Sequence, residues 1–472
     1  MNLHRSWKSY RAEYRVAEMK TIASWIANGD SGSVVGAAGI GVSNLLGFLC
    51  YRPDAIQRYL PEKAPPVALV PVDLNDLPVL DTSTLYRVIL RSFYEVRAYF
   101  DAHLLESIEE IYQSHRAETD PFLTQSALRE LLLLCQAEQI RCVLVLDHFD
   151  NFCQIAPLPL FNTLRGLRDS FKNVLIYVVG LRQKLMYLPE PDRLGRLQPL
   201  LDRFVCWVGP MNTADARQLI RQTTYFAQTP IGEVDIERII QITGGHPSLL
   251  REVSNWWQKY QGRWPADQWP WRLLAEPSID YWLKQIWARL TLEEQLIMSE
   301  IQKLQPQSGL VPSKRVQTAF KTLFKENELV FQRLVDKGLC HNADDSWSIT
   351  GRLLSDFLAQ TEVDGRGKIR FDERGGELLQ GQQPITGLSP LSQTVLTFLI
   401  ENPYTRHTKT DLIFSTWPDE LRQEGVTDDS LYQVIMEIRK KIEPNSSEPR
   451  YLVTRRGKPE GGYQFFPEGR PS

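Results

Sequence analysis

The chain has no CxxC pair. Its six cysteines, Cys50, Cys135, Cys142, Cys153, Cys206 and Cys340, are scattered over 472 residues. That argues against a disulfide framework and a structural metal, and for a reducing compartment. Cys142 and Cys206 sit in apolar runs and read as small buried hydrophobes. Net charge is also lacking: 54 Lys and Arg against 57 Asp and Glu leave −3 at pH 7. No global field draws the chain to nucleic acid, so any such contact must come from a local patch. The start, MNLHRSWKSYRAEYR, has no apolar signal core. The longest uncharged run, Ser31 to Tyr51, carries Gly32, Gly36, Gly39, Gly41 and Gly47, and few large apolar residues precede Leu45. It reads as strand, turn and helix rather than a membrane span. The expectation is a cytoplasmic protein with no membrane contact. Internal repeats and long low-complexity tracts are absent too.

What is present is a globular composition, 43% hydrophobic and 24% charged, at a length suited to about three domains. Residues 1–260 alternate strand-like and helix-like patterns. Ser33–Gly36, Val67–Val72, Cys142–Leu146, Asn173–Gly180 and Phe204–Val208 are short apolar runs. Thr82–Phe100 and Thr124–Gln136 carry helical periodicity, and helices take over from Thr213 to Tyr260. The pattern predicts an α/β fold, a doubly wound parallel sheet with a helical lid. A tryptophan-rich connector follows, with Trp256, Trp257, Trp264, Trp269 and Trp271. Residues 261–362 read as a small winged-helix-like domain opened by a capping box, Thr291 to Glu294. The polar, turn-rich stretch 361–384 marks a boundary with one strand candidate, Lys368–Phe371. Residues 363–472 form the last domain.

The most informative stretch is SVVGAAGIGVSNLL, Ser33 to Leu46. The phosphate-loop pattern G-x-x-x-x-G-K-[ST] falls on Gly36, Gly41, position 42 and Ser43. In such a loop backbone N–H groups cradle phosphate, the lysine reaches the β and γ oxygens, and the hydroxyl holds Mg²⁺. Position 42 is Val42. Anion binding by the backbone of Gly36, Gly39, Gly41, Ser43 and Asn44 survives that change, and so does the helix N-terminus. Efficient turnover does not, because the mobile positive charge is gone. RCVLVLDHFD (141–150) places Asp147 at the carboxyl end of a strand, where with Ser43 it could hold Mg²⁺. Asp150 could orient a water; alternatively it caps a helix. Arg182 follows the next strand as a phosphate sensor or a salt-bridge partner. TGGHPSLL (243–250) sets an exposed His246 and Pro247 at a helix start.

Together SVVGAAGIGVSNLL, VLVLDHFD and GGHPSLL resemble the STAND class of AAA+-related signal-transduction NTPases, over about residues 10–260. The segment AEMKTIASWIANGDSGSVVG (17–36) resembles the lead-in to that loop. The resemblance implies ATP or ADP as cofactor, with Mg²⁺. It places His246 on the β-phosphate, Pro247 along the adenine, and Tyr14, Arg15 and Glu18 near the base. Val42 departs from the family pattern and argues against hydrolysis.

In the last domain, Ser389-Pro390 starts a helix, Thr408 to Asp411 caps a second, and Thr427 caps a third. Tyr451–Thr454 and Gly462–Phe466 bracket a hairpin. IRKKIEP and PRYLVTRRG…GGY are similar to the OmpR/PhoB-type winged helix-turn-helix of response regulators. The resemblance implies a recognition helix at 428–442, a wing at 455–461 and duplex DNA as partner. Gln433, Arg439, Lys440, Arg455, Arg456 and Lys458 are the candidate contacts. Residues 427–458 hold seven basic side chains against five acidic ones, a modest excess for tracking phosphates. Asp429 and Glu437 are expected on the exposed helix face with Gln433, Met436 and Lys440.

Three functions fit. The first is a nucleotide- or partner-sensing switch with little or no hydrolysis, relaying its state to DNA. The second is a non-enzymatic pseudo-ATPase adaptor whose winged helix docks protein, within a defence or mobile-element assembly. The third is an active ATPase with Lys184 substituting for the loop lysine. A protein partner or homo-oligomer is expected.

Overall fold

The computed structural model describes residues 7, 9–188, 191–261, 263–305, 313–343, 346–361, 367–372, 375–419, 426–457 and 460–472. Packing separates two compact units, Met1–Phe226 with Gly245–Arg251, and Ala227–Gly244 with Glu252–Ser472.

The first unit is built on five parallel strands: β1 Gly32–Val35, β2 Val67–Asp73, β3 Arg141–Asp147, β4 Leu175–Leu181 and β5 Val205–Trp207. Their order is β2-β3-β4-β1-β5. Strands β1 and β4 are buried throughout, as near-continuous apolar runs in a covered parallel sheet should be. Helices α1 Val16–Asn28, α2 Val42–Tyr51, α3 Thr82–Glu95, α4 Pro121–Ala137 and α5 Leu158–Ser170 flank the sheet. Asp81 and Asp120 start α3 and α4 as N-caps, each accepting a backbone N–H. Helix α3 is shorter than its apolar pattern suggested. It stops at Glu95, and a separate 3₁₀ turn covers Arg97–Tyr99. Leu85, Ile89 and Phe93 of α3 join Leu128, Leu131 and Leu132 of α4 and the inward residues of β2, β3 and β4 in one core. Because β4 lies between β1 and β3, the chain leaving all three strands emerges along one end of the sheet, the usual place for ligands in such folds.

In the second unit Trp256 and Trp269 pack together, while Trp271 is exposed. Trp269 is buried, meets Trp256 edge-on at 5.4 Å and donates to the Trp264 carbonyl at 3.0 Å. Trp257 donates to Asp235 at 2.9 Å. Helix α6 Leu292–Leu304 opens with the expected capping box at Thr291 and Glu294. It packs with α7 Lys314–Glu326, α8 Glu328–Asp336 and the antiparallel pair β6 Cys340–Ala343 and β7 Ser346–Ile349.

The stretch expected to mark a boundary with one strand holds a three-stranded sheet instead. Strands β8 Ile369–Asp372, β9 Glu377–Gln380 and β10 Gln383–Pro384 pair antiparallel. Gly376 and Gly381, both at positive φ, turn the chain between such short strands. Helices α9 Pro390–Glu401, α10 Lys409–Thr416 and α11 Asp428–Ile442 follow, with Ser389, Thr408 and Thr427 as their N-caps. Strands β11 Arg406–Thr408, β12 Leu452–Arg455 and β13 Gly462–Phe465 close the domain in the order β11-β13-β12. The C-terminal segment returns to α6: Leu292 N–H donates to the Gly469 carbonyl at 3.0 Å, and Arg450 donates to the Leu290 carbonyl at 2.6 Å. A Cβ on Gly469 would lie 2.7 Å from Leu292, so this junction requires a glycine.

Candidate functional site

The loop after β1 turns on two glycines and runs straight into a helix. Gly39 and Gly41 adopt positive φ, 76° and 97°, and Gly41 is the N-cap of α2. Orphan N–H groups of the first helical turn therefore face the loop. Ser43 is exposed and Asn44 half-buried. Val42 turns back toward the sheet. Its Cγ2 would lie 2.9 Å from a Cβ on Gly36, and its Cγ1 3.4 Å from one on Gly180. Asp147 Oδ1 would lie 2.9 Å from that same Gly180 position. An isopropyl group thus occupies the floor of the loop beside the carboxylate.

Asp147 ends β3 and accepts the His148 N–H at 2.8 Å. His148 takes a left-handed backbone, φ 56°, and its Nδ1 lies 2.9 Å from Asp73 at the end of β2. Asp150 is buried and pairs with Arg182 Nε at 3.7 Å. Arg182 sits just past β4 and has an acidic partner, as its salt-bridge reading expects. Lys184 lies over the Trp207 ring at 5.7 Å.

The GGHP segment closes on the loop. Ser248 donates to the Gly39 carbonyl through its backbone N–H at 3.2 Å and its hydroxyl at 2.9 Å. Pro247 Cγ stands 3.9 Å from a Cβ placed on Gly41. His246 is not exposed, as the sequence suggested; it is 5% accessible. Neither ring nitrogen completes a hydrogen bond, although the Ala38 backbone is close enough to act on the ring. Burial pushes its pKa down to about 4 from the ordinary 6.5, and the nearby Arg15 charge adds to the fall.

Arg15 is 2% accessible and cross-ties the same region. Its guanidinium donates to the carbonyls of Ile40 at 2.9 Å, Gly209 at 2.5 Å and Pro210 at 3.2 Å, and pairs with Glu18 at 3.0 Å. Its backbone N–H donates to Asp215 at 3.0 Å. Tyr14 packs edge-on against Tyr10 and Phe48. Ser248 and Asp215 were not foreseen, and no local pattern marks a hydroxyl that serves a loop 209 residues away.

In the last domain the expected DNA contacts divide. Gln433, Lys440 and Arg456 are exposed. Lys458 lies outside the described residues. Arg439 and Arg455 are turned inward, at 7% and 6% accessibility. Arg439 Nε donates to the Leu452 carbonyl at 2.9 Å and its Nη2 to Thr454 at 2.8 Å. Arg455 donates to Gln464 at 2.6 Å. These guanidinium groups hold α11 to β12 and β12 to β13, so the expectation that they meet phosphate is corrected. Glu437 is corrected as well. Its carboxylate accepts from Ser389 N–H at 2.7 Å, Ser389 Oγ at 2.9 Å and Ser392 Oγ at 2.7 Å. It fastens α11 to the start of α9 rather than facing a partner. Asp429 stays exposed beside Tyr432 and Gln433.

Among the described residues no helix is long and apolar enough to cross a membrane, and no group of three or more His, Cys, Asp or Glu could hold a metal ion. No curated protein matches the chain in sequence. Several solved structures are similar over most of their length. The ORC2 protein of Aeropyrum pernix, solved as ADPNP–ADP complexes, is 12% identical, with TM-score 0.39, covering 73% of this chain and 92% of that one. A Walker-type ATPase of Pyrococcus abyssi is 13% identical, with TM-score 0.39 and coverage of 73% and 95%. Cdc6p of Pyrobaculum aerophilum is 13% identical, with TM-score 0.32 and coverage of 74% and 93%. At such scores the fold rests on the strand order and loop geometry above, not on these likenesses. Residues 382–465 match the family described as "Transcriptional regulatory protein, C terminal". The chain thus joins a phosphate-loop α/β unit to a C-terminal winged helix similar to that of transcriptional regulatory proteins.

Proposed function

We propose that this chain is a STAND-like regulatory switch: the first unit binds ATP or ADP with little or no turnover, and the winged helix binds duplex DNA according to that state. The observation that supports it most is the buried His246, with both nitrogens short of a full hydrogen bond, set against a glycine loop at a helix N-terminus. A buried polar group without a partner is costly, and a phosphate anion at this loop would supply one. In this reading Gly36, Gly39, Gly41 and Asn44 would form the phosphate cradle, and Ser43 with Asp147 would hold Mg²⁺. When bound, the metal would neutralise phosphate charge. Without the loop lysine, the residues here hold and orient the nucleotide, and Arg15 and Ser248 fix the loop that receives it. Differential affinity of nucleotide for two conformations would then shift the winged helix between them. On the DNA side, exposed Gln433 and Lys440 read the groove, and Arg456 with Lys458 holds the backbone.

The inward turn of Arg439 and Arg455 favours the second reading, an adaptor whose winged helix docks protein. Duplex binding at several salt concentrations, with ATP, with ADP and without nucleotide, separates the two. A switch gives salt-dependent binding that differs between nucleotide states. An adaptor gives none even at low salt.

A further inference from the structure

A second anion-shaped feature lies at the opposite end of the sheet from the phosphate loop. Asp30 and Ser31 lead into β1, and Phe204 leads into β5. Around them Arg165, Arg168, Arg196 and Arg203 line one pocket of about 340 Å³. That is near the lower end of small-ligand pockets, about 300–1,000 Å³. Asp30 is its one acidic lining residue among the described residues, and that charge also acts on Arg141, whose guanidinium donates to the Ala27 carbonyl at 2.7 Å. Asp169 takes Arg165 Nε at 2.9 Å. The remaining charge is positive.

The Arg165 and Arg168 guanidinium groups are held by the fold. Arg168 is 9% accessible and donates to the carbonyls of Gly29 at 2.9 Å and Lys172 at 2.8 Å. Its Nε is buried without a partner. Arg165 Nη1 donates to the Arg196 carbonyl at 3.2 Å, which brings the Arg196 backbone to the pocket rim. Arg203 stacks over Phe204, 5.3 Å from the ring centroid. Guanidinium groups clustered in one small pocket repel each other, and leaving a buried N–H unpaired adds to the cost. Both penalties are relieved by an oxyanion, whose geometry matches the guanidinium fork.

We infer that the pocket formed by Arg165, Arg168, Arg196 and Arg203 is a binding site for a phosphate group, separate from the phosphate loop. The group can belong to a free phosphate ester or to a nucleic-acid backbone. Arg168 also supports the fold, so the test uses Arg196 and Arg203, whose side chains are exposed. Inorganic pyrophosphate is titrated calorimetrically into the full chain at low salt. The comparison is the R196A/R203A pair, checked for an unchanged thermal midpoint. Ser43→Ala with His246→Ala serves as the control for the phosphate loop. The expected result is binding kept in the loop variant and weakened at least tenfold when R196A/R203A is added to that variant. Arg165→Gln in the same background should weaken it as well. Pyrophosphate bound equally by the loop variant with and without the arginine pair would overturn the assignment, as would its loss in the loop variant alone. A short duplex titrated in parallel separates the two sources. A matching loss of duplex affinity in the arginine pair points to nucleic-acid phosphate, and its absence to a free ester.

Discussion

Arg15 donates to the Ile40 carbonyl at 2.9 Å, tying the segment before α1 to the middle of the phosphate loop. The same side chain serves the carbonyls of Gly209 and Pro210 after β5. One buried guanidinium therefore sets the position of the loop against the sheet edge. Arg15→Ala leaves three carbonyls without their donor. The expected loss is about 2–4 kcal/mol, read by urea unfolding of the purified chain. Arg15→Lys keeps the charge but not the fork, and should recover only part of it. An alanine variant as stable as the natural chain contradicts this role.

His246 makes stability depend on pH in a defined window. Its folded pKa, about 4, is below the ordinary 6.5, so the unfolded chain takes up a proton that the folded chain refuses. Stability is unaffected above 6.5, falls as the pH drops toward 4, and then levels off. The loss amounts to roughly 3 kcal/mol at most. Urea midpoints at pH 7.5, 6 and 5 should separate the natural chain from His246→Asn, which lacks this slope. Parallel curves for the two proteins would remove the buried neutral imidazole from the account.

Glu437 should act on the fold rather than on a partner. Hydrogen bonds from the Ser392 hydroxyl, then the Ser389 N–H, hold its carboxyl below the usual carboxylate range. The ionised form is therefore favoured by folding. Its contribution is present above the usual carboxylate pKa and is lost as acid carries the pH through the depressed value. Glu437→Gln should cost about 1 kcal/mol or less, since the site is largely solvated. Duplex affinity should not change. A gain in duplex affinity on neutralising Glu437 would return this residue to the reading face.

Arg455 and Arg456 are adjacent, yet they should give different phenotypes. Arg455→Ala strands the buried Gln464 oxygen and should lower stability by about 1–3 kcal/mol. Arg456→Ala should leave stability within about 0.5 kcal/mol and reduce the salt slope of duplex binding by about one unit. Thermal unfolding and fluorescence anisotropy at several salt concentrations measure the two effects.

Much of the architecture can be read from the residues. Strands β3 and β4 are apolar runs because both of their faces are covered. The caps at Thr291, Ser389, Thr408 and Thr427 are local chemistry and appear where the sequence puts them. Strands β9, β10 and β11 were not legible. They are two to four residues long and largely polar, and they exist because neighbouring strands pair with them. The loop, Asp147 and Arg182 could be placed at one end of a parallel sheet from their order alone. The burial of His246 could not, because it depends on Ser248 reaching Gly39 across 209 residues. Counting charge misled at Arg439, Arg455 and Glu437. A net sum cannot tell a side chain facing solvent from one bonded to its own backbone.

The central claim is that a phosphate loop without its lysine still binds nucleotide. The direct test is equilibrium binding of ATP and ADP to the purified chain, with and without Mg²⁺, beside Val42→Lys. The account predicts clear binding by the natural chain without Mg²⁺-dependent turnover. It also predicts a gain of about tenfold or more in Val42→Lys, the worth of one charge-assisted hydrogen bond. No binding by the natural chain, with binding restored in Val42→Lys, would contradict it and leave the first unit a scaffold.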